Sequence, residues 1–114
     1  MNKIFGVGVD LEEIQRFKKM PFGRHADFYK KIFTEAEIKY CLSKDDPYSS
    51  FAARFAAKEA VLKCLKSTIY KIRDVEIRND KNGAPSVKIK KHRGRFLVSL
   101  SHTKDYACAV AVLT

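Results

Sequence analysis

A long helix rich in alanine is the strongest constraint on how this 114-residue chain can fold. From Tyr48 to about Leu65 apolar residues recur at helical spacing, and Asp46 followed by Pro47 supplies an N-cap and a first helical position. The middle of this helix contains Ala52, Ala53, Ala56, Ala57 and Ala60. Because alanine side chains are short, the sequence predicts a thin helix that other backbone can approach closely.

The hydrophobic pattern before this helix predicts a strand and shorter helices. Ile4–Val9 is an apolar run typical of a buried strand, and Asp10 with Glu13 three residues later forms a capping-box pattern that predicts a helix. A short helical piece is predicted at 27–33. Thr34–Glu37 repeats the capping-box pattern and predicts the start of another helix.

Beyond the long helix, apolar and polar residues alternate, which is the period of strands. Asn82-Gly83 is a strong turn signal between two alternating runs, so a hairpin is predicted. Two further strands are predicted around 96–100 and 106–113. One strand, several helices and then antiparallel strands predict an α+β fold with helices packed on an antiparallel sheet, in a single domain spanning residues 1–114.

The chain is strongly basic. It has 23 Lys and Arg residues against 13 Asp and Glu residues, which gives a formal net charge of +10. This excess predicts an anionic partner: nucleic acid, a membrane surface, a polyphosphate or an acidic protein. The sequence has no run of about 18 apolar residues, so no transmembrane helix is expected.

The cysteines indicate a reducing compartment. Cys41, Cys64 and Cys108 are odd in number and lack C-x-x-C spacing, so neither a disulfide framework nor a zinc site is predicted. Their apolar neighbours favour buried, reduced thiols. Acidic residues from Asp10 onward come too early for a signal-peptide core. We therefore expect a cytoplasmic protein.

Two carboxylates are candidate metal ligands. Asp10 follows the first predicted strand, where it could cap a helix, bind Mg²⁺, or do both. Glu59 lies in the alanine-rich part of the long helix, where a buried carboxylate is costly unless it is paired or binds a metal. An ordinary surface ion pair with Lys63, four residues later, is the alternative interpretation of Glu59.

The segment Ser99–Tyr106 is a third candidate, because it places several polar side chains between two predicted strands. It could be an ordinary polar turn with His102 on the surface. It could equally form a ring of small donors and a cation arranged around a phosphate.

Taken together, these segments resemble the motifs of the holo-acyl-carrier-protein synthase group of 4′-phosphopantetheinyl transferases. The matching segments are Gly6–Asp10, Phe51–Ala60 with Lys63, Ser99–Ala107 and the turn Asn82–Pro85. They cover essentially the whole chain in the family's order. One departure is Lys66–Ile69, which stands where the family commonly has a glycine-rich segment.

The resemblance implies a Mg²⁺-dependent enzyme of fatty acid biosynthesis and lipid metabolism. Such an enzyme transfers the 4′-phosphopantetheine group of coenzyme A to a serine of apo acyl carrier protein and releases 3′,5′-ADP. Small members of the group are homotrimers with active sites between neighbouring subunits, so a homotrimer is expected. Arg16 and the basic residues after it would face the acidic carrier protein.

The resemblance also implies roles for individual residues. Asp10 and Glu59 would hold Mg²⁺, while Lys63 and Arg54 would contact the coenzyme A phosphates, with Lys63 stabilising charge on the leaving side. Lys58, His102 and Thr103 would line the nucleotide and pyrophosphate region of coenzyme A. The turn with Asn82, Gly83 and Pro85 would lie near its adenine. The catalytic base is either Glu59, acting through a water molecule, or His102.

A nucleic-acid-binding module is the competing hypothesis. The basic residues behind it are Lys88, Lys90, Lys91, Arg93 and Arg95. A solvated strand edge protected by lysines is the favoured interpretation of these residues, since no aromatic pair interleaves with them. The module also leaves Asp10 and Glu59 unexplained, and both carboxylates argue against a non-catalytic subunit of the same fold. We therefore expect neither nucleic acid nor a membrane as partner.

Overall fold

The structure, a computed structural model, describes residues 3–114. The helices are α1 (Ile14–Lys18), α2 (Phe22–Ile32), α3 (Glu35–Leu42) and α4 (Pro47–Leu65), followed by a 3₁₀ turn at Ile72–Asp74. The strands are β1 (Gly6–Glu13), β2 (Val75–Asn79), β3 (Pro85–Ile89), β4 (Phe96–His102) and β5 (Tyr106–Leu113).

The strands form two antiparallel sheets within the described residues. Strands β1, β5 and β4 are neighbours in that order, and β2 pairs with β3. Strands β1 and β5 pair from Gly6 opposite Leu113 to Glu13 opposite Tyr106. Helix α4 packs across one face of the first sheet and also contacts β2. The predicted α+β fold, with helices on antiparallel strands, is therefore confirmed.

The predicted thin helix is confirmed where α4 crosses β1. A Cβ atom added at Gly8 would lie 1.9 Å from the Ala60 carbonyl oxygen, and one at Gly6 would lie 2.4 Å from the Cys64 carbonyl oxygen. Such distances are far below van der Waals contact, so only glycine fits at either position. Alanines on the helix and glycines on the strand together bring the two backbones unusually close.

Two parts of the core lie against the two halves of α4. Around its first half, aromatic rings pack against one another: Phe17, Tyr29, Phe33, Phe51 and Phe55. Around its second half, small and aliphatic residues of α4 pack against β2, β3 and β5. The buried Tyr29 hydroxyl satisfies its polarity by donating to the carbonyl oxygens of Phe17 and Met20, at 3.1 and 2.7 Å.

Several local predictions are confirmed by the hydrogen bonds. The Thr34 hydroxyl accepts from the Glu37 N–H at 3.3 Å, and the Glu37 carboxylate accepts from the Thr34 N–H at 2.9 Å, which completes the capping box of α3. Asp46 caps α4 by accepting from the Ser49 N–H at 3.2 Å. The β2–β3 hairpin turns at Gly83, whose φ of 85° suits glycine.

The predicted helix cap at Asp10 is wrong. Asp10 lies within β1 and pairs with Ala109, and α1 begins only after Glu13, which makes no side-chain capping bond. Pairing with β5 along its whole length provides hydrogen bonds for more backbone N–H and C=O groups than one local cap would. This pairing extends β1 four residues past Val9, to Glu13. The predicted short helix at 27–33 also begins earlier, at Phe22.

One face of the β1–β5–β4 sheet is apolar and exposed. Residues that alternate away from α4 are Val7, Val9, Leu11, Leu97 and Val110, and each is between 40 and 62 % exposed. A contiguous apolar surface of this kind usually marks an interaction site. Among residues 3–114, no helix is both long and apolar enough to cross a bilayer.

Candidate active site

Asp10 occupies the face of β1 that packs against α4, in the interior of the strand and not at its end as predicted. One carboxylate oxygen, Oδ1, accepts from the Lys63 ammonium at 3.3 Å. The other, Oδ2, is buried and has no hydrogen-bond donor among the described residues. The Lys63 ammonium also donates to the Val9 carbonyl oxygen at 2.8 Å. A buried oxygen without a donor is costly, so this position suits an added cation.

Glu59 projects from α4 into the same neighbourhood. Burial raises the pKa of its carboxyl, and the negative charge of Asp10 raises it further, while Lys63 and Arg16 oppose the shift. The ion pair of Lys63 is formed with Asp10, so the simple surface pair between Glu59 and Lys63 is not what the structure contains. Asp10, Glu59 and Lys63 therefore lie in one neighbourhood where β1 crosses α4, and the two carboxylates form an acidic group there.

Glu12 joins this acidic group, and the sequence reasoning missed it. Burial raises the pKa of Glu12 to about 7, and a hydrogen bond with Asp10 and the negative charge of Asp10 contribute to the shift. Arg16, whose Nη1 lies 3.2 Å from Glu12 Oε1, opposes it. A bond between two carboxyls needs a proton on one of them, so with both ionised Asp10 Oδ2 has no donor. The alternation of Gly6, Gly8, Asp10 and Glu12 along one strand face was the available signal.

The number of carboxylates at this position is typical of a Mg²⁺ site. It is too small for a site in which protein side chains surround the metal. Among residues 3–114, no three His, Cys, Asp or Glu side chains lie close enough together to form a complete metal cage. Mg²⁺ typically takes only one or two carboxylates and fills its remaining positions with waters and substrate phosphates. Asp10 and Glu59 fit that requirement.

A cavity of about 630 Å³ opens beside the acidic group, between the end of β1 and α1. Its lining residues are Leu11, Glu12, Glu13, Gln15, Arg16, Lys19 and Met20. Arg16 is held there by Glu12 and by the Phe55 ring, whose centre is 5.2 Å from the guanidinium carbon. The predicted carrier-facing arginine therefore borders the acidic group.

The predicted role of Lys58 in the site is wrong. Its side chain is fully buried, and its ammonium donates to Glu37 Oε1 at 2.5 Å. Glu37 Oε2 accepts from the Ile77 N–H at 2.9 Å, so this carboxylate links α4 to β2. Burial lowers the pKa of Lys58, and Glu37 opposes the shift. A residue held in this way joins elements of the core and does not reach the nucleotide region predicted for it.

Arg54 lies one turn earlier on α4 and is also buried. Its guanidinium stacks on the Tyr40 ring, with the guanidinium carbon 3.9 Å from the ring centre. It also donates through Nη2 to the side-chain oxygen of Asn79, at the end of β2. The guanidinium of Arg54, predicted to contact a phosphate, therefore lies beside the β2–β3 hairpin and not beside Asp10.

The predicted C-terminal segment forms the end of β4 and the turn into β5. His102 and Glu12 stand on either side of Ala107 in one row across the sheet, so His102 lies two strands away from the acidic group. The Thr103 hydroxyl accepts from the backbone N–H groups of Asp105 and Tyr106, at 3.3 and 3.1 Å. Thr103 therefore shapes the turn, and His102 is exposed beside it.

The predicted nucleotide-side turn faces β4 across a second cavity. This cavity has a volume of about 230 Å³, and its lining residues are Asn79, Gly83, Pro85, Val98, Ser99 and Leu100. Its lining combines polar side chains, Asn79 and Ser99, with apolar ones from both sides. The turn that contains Asn82 thus borders the same strand that ends in His102.

This arrangement agrees with the comparisons with known proteins. A sequence profile described as the 4′-phosphopantetheinyl transferase superfamily matches residues 6–111. The chain therefore belongs to the 4′-phosphopantetheinyl transferase superfamily, as its motifs predicted.

Within this superfamily the chain is similar to holo-[acyl-carrier-protein] synthases. The protein of that name from Thermodesulfovibrio yellowstonii is 43 % identical over 112 residues, which cover 97 % of this chain and 99 % of the relative. That from Chlamydia trachomatis serovar L2 is 45 % identical over 119 residues, covering 96 % and 98 %. A crystal structure of the Bacillus anthracis holo-(acyl-carrier-protein) synthase in complex with CoA (3′,5′-ADP) superposes with a TM-score of 0.84 at 32 % identity, covering 96 % of each chain.

Proposed function

We propose that this chain is a holo-[acyl-carrier-protein] synthase, which transfers 4′-phosphopantetheine from coenzyme A to a serine of apo acyl carrier protein and releases 3′,5′-ADP. The observation that carries the proposal is the meeting of Asp10, Glu59 and Lys63 where β1 crosses α4. Relatives with this activity in their names match over nearly their whole length. The product would serve fatty acid biosynthesis.

We propose that Asp10 and Glu59 hold Mg²⁺. The support is the buried Asp10 Oδ2 without a donor, beside a second carboxylate whose pKa is raised. Bound there, Mg²⁺ would neutralise charge on the diphosphate during transfer. Lys63 now neutralises Asp10, and its side chain is half exposed, so it is free to turn towards phosphate oxygens once Asp10 is a metal ligand.

The chemistry requires positioning and charge neutralisation more than covalent help from the protein. The serine oxygen forms a bond to the β-phosphorus of coenzyme A, the bond from that phosphorus to the bridging oxygen breaks, and 3′,5′-ADP leaves. The serine proton passes to a base, for which Glu59, acting through a water molecule, and His102 remain the two proposals. Glu59 belongs to the acidic group, whereas His102 lies two strands away, and this favours Glu59.

A carrier-protein assay tests the function directly. Purified protein with coenzyme A, Mg²⁺ and an apo acyl carrier protein should raise the mass of the carrier by one phosphopantetheine group, detected by mass spectrometry. EDTA should reduce transfer to background, and excess Mg²⁺ should restore it. A carrier that accepts the group from another transferase but gains no mass here would contradict the function. Full transfer in EDTA would contradict the metal alone.

We propose that the exposed apolar sheet face is covered by further copies of this chain in a homotrimer. Val7, Val9 and Val110 lie on this face, and charged side chains are depleted there compared with the rest of the surface of a +10 protein. In such a trimer, residues of a neighbouring subunit would add to the acidic group and form an active site between subunits.

Size-exclusion chromatography with light scattering tests this assembly. The wild-type chain should give about three times its 13.1 kDa mass. Val9→Glu should give the monomer mass, because a carboxylate buried in an interface without a partner is strongly unfavourable. Ser86→Glu, which adds the same charge on the separate β2–β3 sheet, should leave the trimer intact. A monomeric wild-type protein at micromolar concentration would rule out the assembly.

We also propose a cytoplasmic location, one domain over residues 1–114, and no partner among nucleic acids or membranes. All three cysteines are free thiols, which suits a reducing compartment. Helix α4 packs on both sheets, which supports a single folding unit. The net charge of +10 would attract both coenzyme A and an acidic carrier protein.

A further inference from the structure

Arg54 is a buried cation without an acidic partner. It is only 5 % exposed, and no carboxylate among residues 3–114 forms a salt bridge with it within 4.0 Å. Its Nε is buried and lacks a hydrogen-bond acceptor. The flat face of the guanidinium is covered by Tyr40. A buried charge normally requires a counter-charge and satisfied hydrogen bonds, and among residues 3–114 Arg54 has neither an acidic partner nor an acceptor for its Nε.

Asn79 is the side chain that fixes this guanidinium. Its Oδ1 accepts from Arg54 Nη2, and its Nδ2 donates to the Gly83 carbonyl oxygen at 2.9 Å. Only one orientation of the amide satisfies both bonds, because the oxygen must face the arginine and the nitrogen must face the carbonyl. Asn79 therefore ties a residue of α4 to the turn between β2 and β3.

The turn between β2 and β3 is held by hydrogen bonds to Asp80. Asp80 Oδ1 accepts from the backbone N–H groups of Asn82 and Ala84, at 2.8 and 2.9 Å. Asn79 also lines the 230 Å³ cavity together with Gly83 and Pro85. Asn79 thus contacts the buried cation and also lines the cavity beside the turn.

We propose that Asn79 is a positioning residue for coenzyme A: its amide holds Arg54 and the turn in a fixed relation, so that a phosphate of coenzyme A meets Arg54 while the nucleotide lies against the turn. This inference rests on the proposed function, which supplies coenzyme A as the ligand. Asn79 acts through Arg54 and the turn, and the phosphate takes the place of the missing counter-charge.

Asn79→Asp is the sharpest test, because aspartate has the size of asparagine but carries a charge. The new carboxylate would pair with Arg54, so the arginine would no longer need a phosphate as counter-charge. The carboxylate also has no N–H group, so the hydrogen bond to the Gly83 carbonyl oxygen would be lost. We expect the dissociation constant of coenzyme A, measured by calorimetry, and the KM for coenzyme A to rise at least tenfold. The kcat and the KM for the carrier protein should change less than twofold, and the melting temperature should not fall.

Two further variants separate positioning from a structural role. Asn79→Ala removes both bonds without adding a charge, so its loss of coenzyme A affinity should be smaller than that of Asn79→Asp. Ser86→Asp adds the same charge on the opposite face of the hairpin and should leave the affinity within twofold of wild type. A merely structural Asn79 would give the reverse order, with the better-paired aspartate variant binding more tightly than the alanine variant.

The outcomes distinguish this inference from the proposed function. If the wild-type protein transfers phosphopantetheine but Asn79→Asp binds coenzyme A as tightly as wild type, the inference is overturned and the function stands. If the wild-type protein binds coenzyme A with the expected order of variants yet transfers nothing to any carrier, the inference stands and the transferase function is overturned.

Discussion

Replacing Glu59 with glutamine should reduce phosphopantetheine transfer by about 100-fold to 1000-fold, the usual effect of losing one preorganised electrostatic group. The fold should not suffer. Burial and the charge of Asp10 already disfavour the ionised form of Glu59, as the raised pKa of its carboxyl indicates. A neutral amide removes that repulsion, so the melting temperature in EDTA should equal or exceed that of the wild type.

The measurement is the initial rate of carrier modification by mass spectrometry, with a thermal melt of each protein beside it. Glu35→Gln is the matched control, because Glu35 is exposed in the first turn of α3, an element that contributes no residue to the acidic group. It should retain the wild-type rate. Near wild-type transfer by Glu59→Gln would remove Glu59 from the metal site, and a clearly lowered melting temperature would make its role structural.

Removing the Glu37 carboxylate should have the largest effect on stability. Glu37→Ala would leave the Lys58 ammonium fully buried without a counter-charge, and the Ile77 N–H without an acceptor. Breaking a buried pair from one side costs about 3–5 kcal/mol. Total stabilities are typically about 5–15 kcal/mol, so this variant would be close to unfolding at moderate temperature.

Urea unfolding measures the effect, and two further variants identify its cause. Glu37→Gln combined with Lys58→Met keeps an acceptor for the backbone and removes both charges, so it should be more stable than Glu37→Ala. Glu35→Ala, two residues earlier on an exposed position, should cost less than about 1 kcal/mol. A loss below about 1 kcal/mol for Glu37→Ala would show that Lys58 finds another partner or loses its proton without difficulty.

The elements that could be predicted from the sequence are those specified by neighbouring residues. The caps at Thr34 and Asp46 and the turn at Gly83 each depend on groups within four positions along the chain, and all three were predicted. The grouping of Asp10 with Glu59 came from the resemblance to a known family. Periodicity alone left both residues with ordinary alternatives.

The errors have a common physical origin in contacts between distant parts of the chain. Asp10 looked like a helix cap because Glu13 follows it, but pairing with Ala109, about a hundred positions later, decided its conformation. Lys58 was expected to contact coenzyme A from the resemblance, but its pairing with Glu37, twenty-one positions earlier, holds it in the core. Helix α4 is buried on nearly every side, so its sequence has no polar stripe that would have revealed which lysine points inward.

The close crossing of β1 and α4 limits how this site can vary. No side chain can be added at Gly8 without displacing the strand, since even a Cβ would overlap the Ala60 carbonyl oxygen. Asp10 and Glu12 follow on the same face of that strand, so any displacement would carry them away from Glu59. The spacing of the acidic side chains is thus set by a residue that has no side chain of its own. Tolerance to substitution should therefore be lower at Gly8, which has no side chain to bind a ligand, than at many positions that border the cavities.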